Sequence, residues 1–249
     1  MLAPLAALHL TAMSRRYFCP HPIEFTAESP CVVSLEGPES HHLSTVMRVG
    51  AGDRLTLFDG SGAEFDAEVL EIQRRGPARL LVRTRDEVSR EPPVTLTLGV
   101  ALPKGDRQKV LVDMLTQIGV AKLVPLVTEH SVAAPKASGI DKLRRAVIEA
   151  SKQCGRNRLM TIDEPAPLAK FFGAVQADCK VIAHPGDEEP SRAPASGSVA
   201  IAIGPEGGFS DEEVAAATAA GWGTLRLGKS ILRIETAAIA AAAAYAVST

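Results

Sequence analysis

Beyond residue 93 the apolar residues arrive in unbroken runs, VTLTLGVAL (94–102), KLVPLVT (122–128), KVIAH (180–184), VAIAI (199–203) and TLRL (224–227), and this feature constrains the fold more than any other. A strand with one face in water alternates apolar and polar residues, whereas a strand that is apolar throughout has both faces covered. Stretches of helical period lie between the runs. Asp106 is placed to cap a helix whose apolar face is Val110, Leu111, Met114, Leu115 and Ile118, with Gly119 ending it. A second helix is expected from an Asp141 cap through Leu143, Val147, Ile148 and Cys154 to Gly155. A third runs from the capping box Ser210-Asp211-Glu212-Glu213 to Gly221, and an alanine-rich one occupies 236–247. Buried strands alternating with helices specify an α/β domain built on a mainly parallel sheet.

The preceding residues follow a different grammar. CVVSLEG, DRLTLFDG, AEFDAEVLEI and ARLLVRT, between about 31 and 86, show the alternation of half-buried strands and are separated by Gly, Asp and Pro turns. They describe a small all-β unit with one helical piece, 40–49, which puts Leu43, Val46, Met47 and Val49 on one face and leaves Arg48 pointing outward. Charges and prolines at 86–93 read as a linker, so the expected domains are 13–88 and 93–249. Segment 186–198 is rich in Pro, Ser and Gly and reads as a surface loop, and residues 1–12 as an amino-terminal extension, with Met13 an alternative start. The stretch SRRYF resembles a twin-arginine export signal, but the apolar segment that should follow is replaced by CPHPIEFTAESP. No run reaches the roughly 18 apolar residues of a membrane span. Four cysteines far apart, with no C-x-x-C pair, point to a reducing, cytoplasmic setting and to no zinc site. With 27 Lys+Arg against 29 Asp+Glu the chain has no global basic field, so any nucleic-acid surface must be a local patch.

The strongest chemical motif is Gly204-Pro205-Glu206-Gly207-Gly208, set between the VAIAI run and the Ser210 capping box. Glycines let backbone approach a ligand closely, and the carboxyl ends of strands in an open α/β sheet are where ligands collect. A β-branched residue at Gly207 is therefore expected to exclude the ligand. Gly223-Thr224-Leu225-Arg226-Leu227-Gly228-Lys229-Ser230 satisfies the phosphate-loop expression letter by letter, yet its first glycine follows a helix and the TLRL strand occupies the loop itself, the wrong context for a phosphate cradle. Lys152, Arg156, Asn157 and Arg158 cluster at the end of the second helix, and Arg15, Arg16 and Arg48 in the β unit. Arginine forks suit phosphates, although a solvated face and favourable helix-end cations explain the same residues. The six histidines lack H-x-x-x-H spacing, and His41-His42 reads as a helix end with a partly buried ring.

Taken in order, HHLSTVMRVGAGDRLTLFDGSG (41–62), QIGVAKLVPLVTEHSV (117–132), QCGRNR (153–158), IAIGPEGGFS (201–210) and LRLGKSILRIETAA (225–238) resemble the RsmE-type methyltransferases of the SPOUT superfamily. These methylate N3 of a uridine in small-subunit (16S) ribosomal RNA with S-adenosylmethionine. The resemblance implies a PUA-like β-barrel that binds RNA, followed by a SPOUT-type α/β domain whose parallel sheet ends in a carboxy-terminal trefoil knot. It also implies a homodimer acting on 16S ribosomal RNA or the small ribosomal subunit, with no metal and no membrane. Carried over residue by residue, the cofactor would be held by His184, Pro185, Ile203, Gly204, Pro205, Glu206, Gly207, Gly208, Leu227, Gly228, Ser230, Ile231, Leu232 and Arg233. RNA would be held by Arg15, Arg16, Arg48, Lys104, Arg156 and Arg158, and the alanine-rich last helix would contribute to the dimer interface.

The reaction itself constrains roles. N3 of uracil keeps its proton at neutral pH, so transfer needs a proton acceptor or donors that stabilise charge on O2 and O4. Glu206, Arg233, Asn157 and Arg158 are the candidate catalytic residues. Glu206, just before a helix start, should be a weak base and could instead balance a cationic cofactor. Two other readings remain at this point: a phosphate-loop nucleotide hydrolase, and a non-catalytic RNA-binding factor.

Overall fold

The computed structural model describes residues 15–26, 31–47, 49–73, 76–131, 137–185 and 196–246. The chain divides into two compact units, Met1–Val88 and Ser89–Thr249. The first is built on a five-stranded sheet of β1 (Arg16–Phe18), β2 (Val32–Leu35), β3 (Arg54–Phe58), β4 (Ala63–Ile72) and β5 (Ala78–Glu87), in the order β1-β3-β4-β5-β2. β1 runs parallel to β3 and every other neighbour is antiparallel. On β4 the alternation is realised side chain by side chain: Ala63, Phe65, Ala67 and Val69 are buried, while Glu64, Asp66 and Glu68 between them reach solvent. The buried set packs with Tyr17, Leu35, Leu43, Leu57 and Leu80 into one core.

Two features of this unit differ from the sequence reading. β1 is only three residues long, too short to show a period, and it adds a parallel edge. The expected helix over 40–49 instead starts at α1 (Gly37–His41), where Pro38 stands in the first turn, and widens into a π-helical turn over His42–Val46. Its face is as expected at Leu43, which is fully buried. His42 is half-buried with its ring 5.8 Å from that of Tyr17. Among the described residues no cluster of metal-ligating side chains occurs, and Arg48 lies outside them.

The second unit alternates strands and helices: β6 (Val94–Val100), α2 (Arg107–Ile118), β7 (Lys122–Val127), α3 (Ala137–Cys154), β8 (Thr161–Ile162), β9 (Ala166–Pro167), α4 (Leu168–Ala174), β10 (Cys179–Ala183), β11 (Gly197–Ile203), α5 (Asp211–Ala219), β12 (Gly223–Leu225) and α6 (Ile234–Ala246). The sheet order is β12-β10-β11-β6-β7-β8, with β9 beside β7, and every pairing is parallel. The apolar runs are explained by the two cores. On β11, Val199, Ile201 and Ile203 enter the core formed with α2, α3 and α6, while Ala200 and Ala202 enter the other, formed with α4 and α5.

Gly119, at φ +98°, closes α2, and Ser210 heads α5 with a complete capping box: its Oγ accepts from Glu213 N–H at 3.3 Å while Glu213 Oε2 accepts from Ser210 N–H at 3.1 Å. The other two caps fail. Asp106 is itself in helical conformation and its side chain accepts no capping bond, and α3 begins at Ala137, which makes Asp141 an interior residue paired with Arg144. α4 escaped the sequence reading because seven residues carry too little period. It places Phe171 and Phe172 against Trp222, with ring centroids 5.5 and 4.9 Å away. The same packing accounts for Gly99 in mid-strand, since a Cβ there would come within 2.7 Å of the Phe171 ring. Most of the expected 186–198 loop lies outside the described residues, and Gly197 and Ser198 belong to β11.

Candidate active site

In a parallel sheet all strands end on one rim. β10, β11 and β12 end level there, with Ala183 paired to both Ile203 and Leu225. The segments that leave these three ends, 184–185, 204–208 and 226–232, enclose a cavity of about 470 Å³, completed by Ile234 and Ala237 of α6. Its lining includes the apolar residues Ile203, Leu225, Leu227 and Leu232, and Ile231, which is 96% exposed, beside the glycine loop.

That loop is braced from several directions. Gly208, at φ +74°, donates its N–H to Pro205 O at 2.9 Å, and Phe209 anchors the exit in the core against the sheet. His130 Nδ1 lies 3.2 Å from Gly208 O, and Glu213, besides closing the capping box, accepts from Glu129 N–H at 2.9 Å. Glu206 is half-exposed and held ionised. Its own backbone N–H first, against some desolvation, and then the hydrogen bond and charge of Arg107 and the charge of Lys104, keep its carboxyl below the ordinary carboxylate range. Arg107 Nη2 donates to Glu206 Oε1 at 3.0 Å, and Nη1 lies 3.5 Å from Glu235 Oε2.

Of the residues expected to hold a cofactor, all but Arg233 line this cavity. Arg233 is exposed, and its carbonyl accepts from Ala237 N–H at the start of α6. Gly207 lines the cavity, and a Cβ there would come 3.2 Å from His130 Cβ. Arg107 and His130 were missed. Nothing local marks them, since each reaches the glycine loop from 78 or more residues away in sequence.

The basic cluster after α3 lies elsewhere. Arg156 donates to the carbonyls of Gly119 and Val120, and Thr161 pairs with Lys122, so 156–161 sit where β7 and β8 begin. This is the rim opposite the cavity, a strand length away, or roughly 20 Å at about 3.3 Å per residue. Within one chain, therefore, Asn157 and Arg158 are not brought to Glu206. Arg156 is also a correction as an RNA contact: it is 3% exposed, and its guanidinium is occupied by Glu91 and by the carbonyls of Thr116, Gly119 and Val120. Asn157 is buried too, whereas Arg158 is exposed. In the first unit Arg16 is buried against Glu64 at 2.8 Å and over the Phe58 ring, which corrects its expected place on a phosphate surface. Arg15 is exposed beside Asp53, and Lys104 is exposed. The phosphate-loop letters carry no phosphate loop, because β12 runs through them.

Comparison with known proteins decides the family. A family described as RNA methyltransferase domain matches residues 90–246, more than half of the chain. The chain belongs to the RNA methyltransferase family. The first unit of this methyltransferase matches, over residues 35–77, the RNA methyltransferase PUA domain. Among relatives, it is 31% identical over 241 residues to the ribosomal RNA small subunit methyltransferase E of Mycobacterium bovis, covering 91% of this chain and 90% of that one. With the protein of the same name from Synechocystis it shares 30% identity over 215 residues, 82% of this chain and 69% of the other. A crystal structure of a ribosomal RNA small subunit methyltransferase E from Neisseria gonorrhoeae bound to S-adenosyl methionine superposes with a TM-score of 0.84 at 28% identity, covering 93% and 96% of the two chains.

Proposed function

We propose that the protein methylates N3 of a uridine in small-subunit (16S) ribosomal RNA with S-adenosylmethionine bound in the cavity at the ends of β10, β11 and β12. The observation that carries this reading is the convergence of three segments, 184–185, 204–208 and 226–232, on one space of about 470 Å³, within the range of small-molecule sites. The residues fit the cofactor. The apolar lining from Ile203, Leu225, Leu227 and Leu232 suits an adenine ring, the glycine backbone offers donors and acceptors, and the Glu206 carboxylate suits a cation at the rim. When bound, S-adenosylmethionine supplies an electrophilic methyl on a sulfonium with a good leaving group. The chain's own task is then chiefly to hold and orient.

The resemblance adds a trefoil knot in which the cofactor lies, held by 184–185, 204–208 and 227–233, and a homodimer; the widely spaced cysteines add a reducing, cytoplasmic setting. Two observations favour a dimer. Arg158 is exposed on the rim opposite the cavity, so its expected part in the reaction would require a second copy to carry it there, and Val110 and Met114 expose an apolar face on α2. The alanines of α6 are a weaker argument than expected, because Ala238, Ala241 and Ala242 are buried in the core of their own chain. No helix among the described residues is long and apolar enough to cross a membrane.

The test is calorimetric titration of the whole protein with S-adenosylmethionine, followed by mapping of methyl label on 16S RNA or small subunits. Saturating the cofactor at about 100 times its Kd should add about 2.7 kcal/mol of stability, and MgATP should add none. The reading fails if S-adenosylmethionine does not bind, or if label appears on an atom other than uracil N3. A dimer mass by light scattering, with Arg158→Ala lowering single-turnover methylation at saturating RNA, is the expected result for the second copy.

Two further results follow from charge. A carboxyl held below its usual range stays ionised until the pH falls through that lowered value, and only there is its contribution lost. Affinity for S-adenosylmethionine is therefore expected to be flat from pH 8 to 6, and Glu206→Gln to weaken binding without moving any limb of the rate profile in that interval. A limb that vanished in Glu206→Gln would show that Glu206 titrates there. In the first unit, Arg15→Ala should lower the slope of log RNA affinity against log salt by about 0.7–0.9, the signature of one lost phosphate contact. An unchanged slope would remove Arg15 from the RNA surface.

A further inference from the structure

Arg107 lies outside the cavity lining, yet it joins two of the segments that form it. It is the first residue of α2. Glu206 belongs to the glycine loop after β11, and Glu235 to the first turn of α6, directly after the 226–233 segment. Glu235 is 14% exposed, and its Oε2 accepts no hydrogen bond among the described residues, so the Arg107 charge 3.5 Å away is what compensates that buried carboxylate. Without Arg107 the Glu235 carboxylate would lose the charge that offsets it, and Lys104 would be the remaining cation identified as acting on Glu206.

We propose that Arg107 is a positioning residue for S-adenosylmethionine, an ionic latch that holds the 204–208 loop and the start of α6 at the separation the cofactor requires. The inference rests on the reading of the cavity as the cofactor site. A guanidinium suits the task because its planar fork serves two carboxylates at once, where a lysine ammonium is a single point on a flexible stem. The latch acts on binding and not on the transferred methyl, since Arg107 touches Glu206 and Glu235 and lines none of the ligand space.

The experiment compares the full-length wild type, R107A, R107K, E235Q and R107A/E235Q by calorimetry with S-adenosylmethionine and by steady-state methylation. R107A is expected to raise Kd and the KM for S-adenosylmethionine about tenfold or more, about 1.4 kcal/mol, with kcat at saturating cofactor within about threefold of wild type. R107K should fall between the two. R107A/E235Q should bind more tightly than R107A, because the neutral amide no longer needs the charge that Arg107 supplied at the start of α6, a recovery that general damage to the fold would not produce. Wild-type affinity in R107A, no gain in R107A/E235Q, or a loss confined to kcat would each overturn the latch. If R107A does not fold, R107K with wild-type Kd overturns it, and a weakened R107K together with an R107A/E235Q that folds and binds S-adenosylmethionine supports it. Failure of the wild type to bind S-adenosylmethionine would instead overturn the cofactor reading itself.

Discussion

Arg156→Met is expected to lower the stability of the second unit by about 3–5 kcal/mol, the usual cost of removing one partner from a buried ion pair. The side chain is 4% exposed and Glu91 22%, so solvent screens the pair little. Its Nε donates to Glu91 Oε1 at 2.9 Å and Nη2 to Oε2 at 2.6 Å, while the remaining donors serve Thr116, Gly119 and Val120 carbonyls at 3.3, 3.2 and 2.7 Å. Those carbonyls lie at and just past the carboxyl end of α2, where Thr116 O also accepts from Gly119 N–H at 3.2 Å. Methionine matches the stem but leaves the Glu91 carboxylate and the Gly119 and Val120 carbonyls without these donors. Unfolding is read from the fluorescence of Trp222, the single tryptophan, which is buried in this unit. At roughly 2–4 °C per kcal/mol the midpoint should fall by about 10 °C. A shift of 2 °C or less would mean that the network contributes nothing net.

Gly204→Val is expected to weaken S-adenosylmethionine binding at least about 100-fold while the unit still folds. A Cβ at Gly204 would lie 3.2 Å from two atoms of the Phe209 ring and 3.4 Å from the Gly208 carbonyl carbon. Phe209 is buried in the core on one side of the sheet, and Gly208 is tied to Pro205, so neither yields without opening the loop. Overpacking of this kind costs about 1–3 kcal/mol, and about 2.7 kcal/mol drawn from the bound conformation is a hundredfold in Kd. Gly207→Ala is the control. Its Cβ meets only His130, whose Cβ 3.2 Å away has to give by a few tenths of an ångström on an exposed residue, and less than about a fivefold loss is expected. Equal Kd values for Gly204→Val and wild type in calorimetry would show that the loop is not a wall of the cofactor site.

The contrast between Arg156 and Arg158 shows where sequence reading stops. Both follow the second helix, both carry the same charge, and local pattern assigns both to RNA. One is buried against Glu91, 65 residues earlier in the chain, and the other is exposed. The Asp106 and Asp141 caps failed for a related reason, since a capping residue is one of several ways to begin a helix and each of these helices begins without it.

What the amino-acid order determined by itself is whatever repeats over a few neighbouring residues: the alternating strands of the first unit, the doubly covered strands of the second, the glycine loop between β11 and α5, and the Ser210 capping box. These depend on periods of two and 3.6 residues and on local backbone demands, which leave marks in adjacent letters. Tertiary structure alone decided that the Arg107 fork spans Glu206 and Glu235, that His130 stands against the glycine loop, and that Asn157 and Arg158 lie on the rim opposite the cavity. Such contacts join residues far apart in the chain, and a charged side chain reads identically whether it ends in water or against a distant carboxylate. Parallel strands add the last constraint. Because every strand of the second sheet points the same way, the end at which a loop emerges decides which rim its residues occupy, and that direction appears only once the strands are paired.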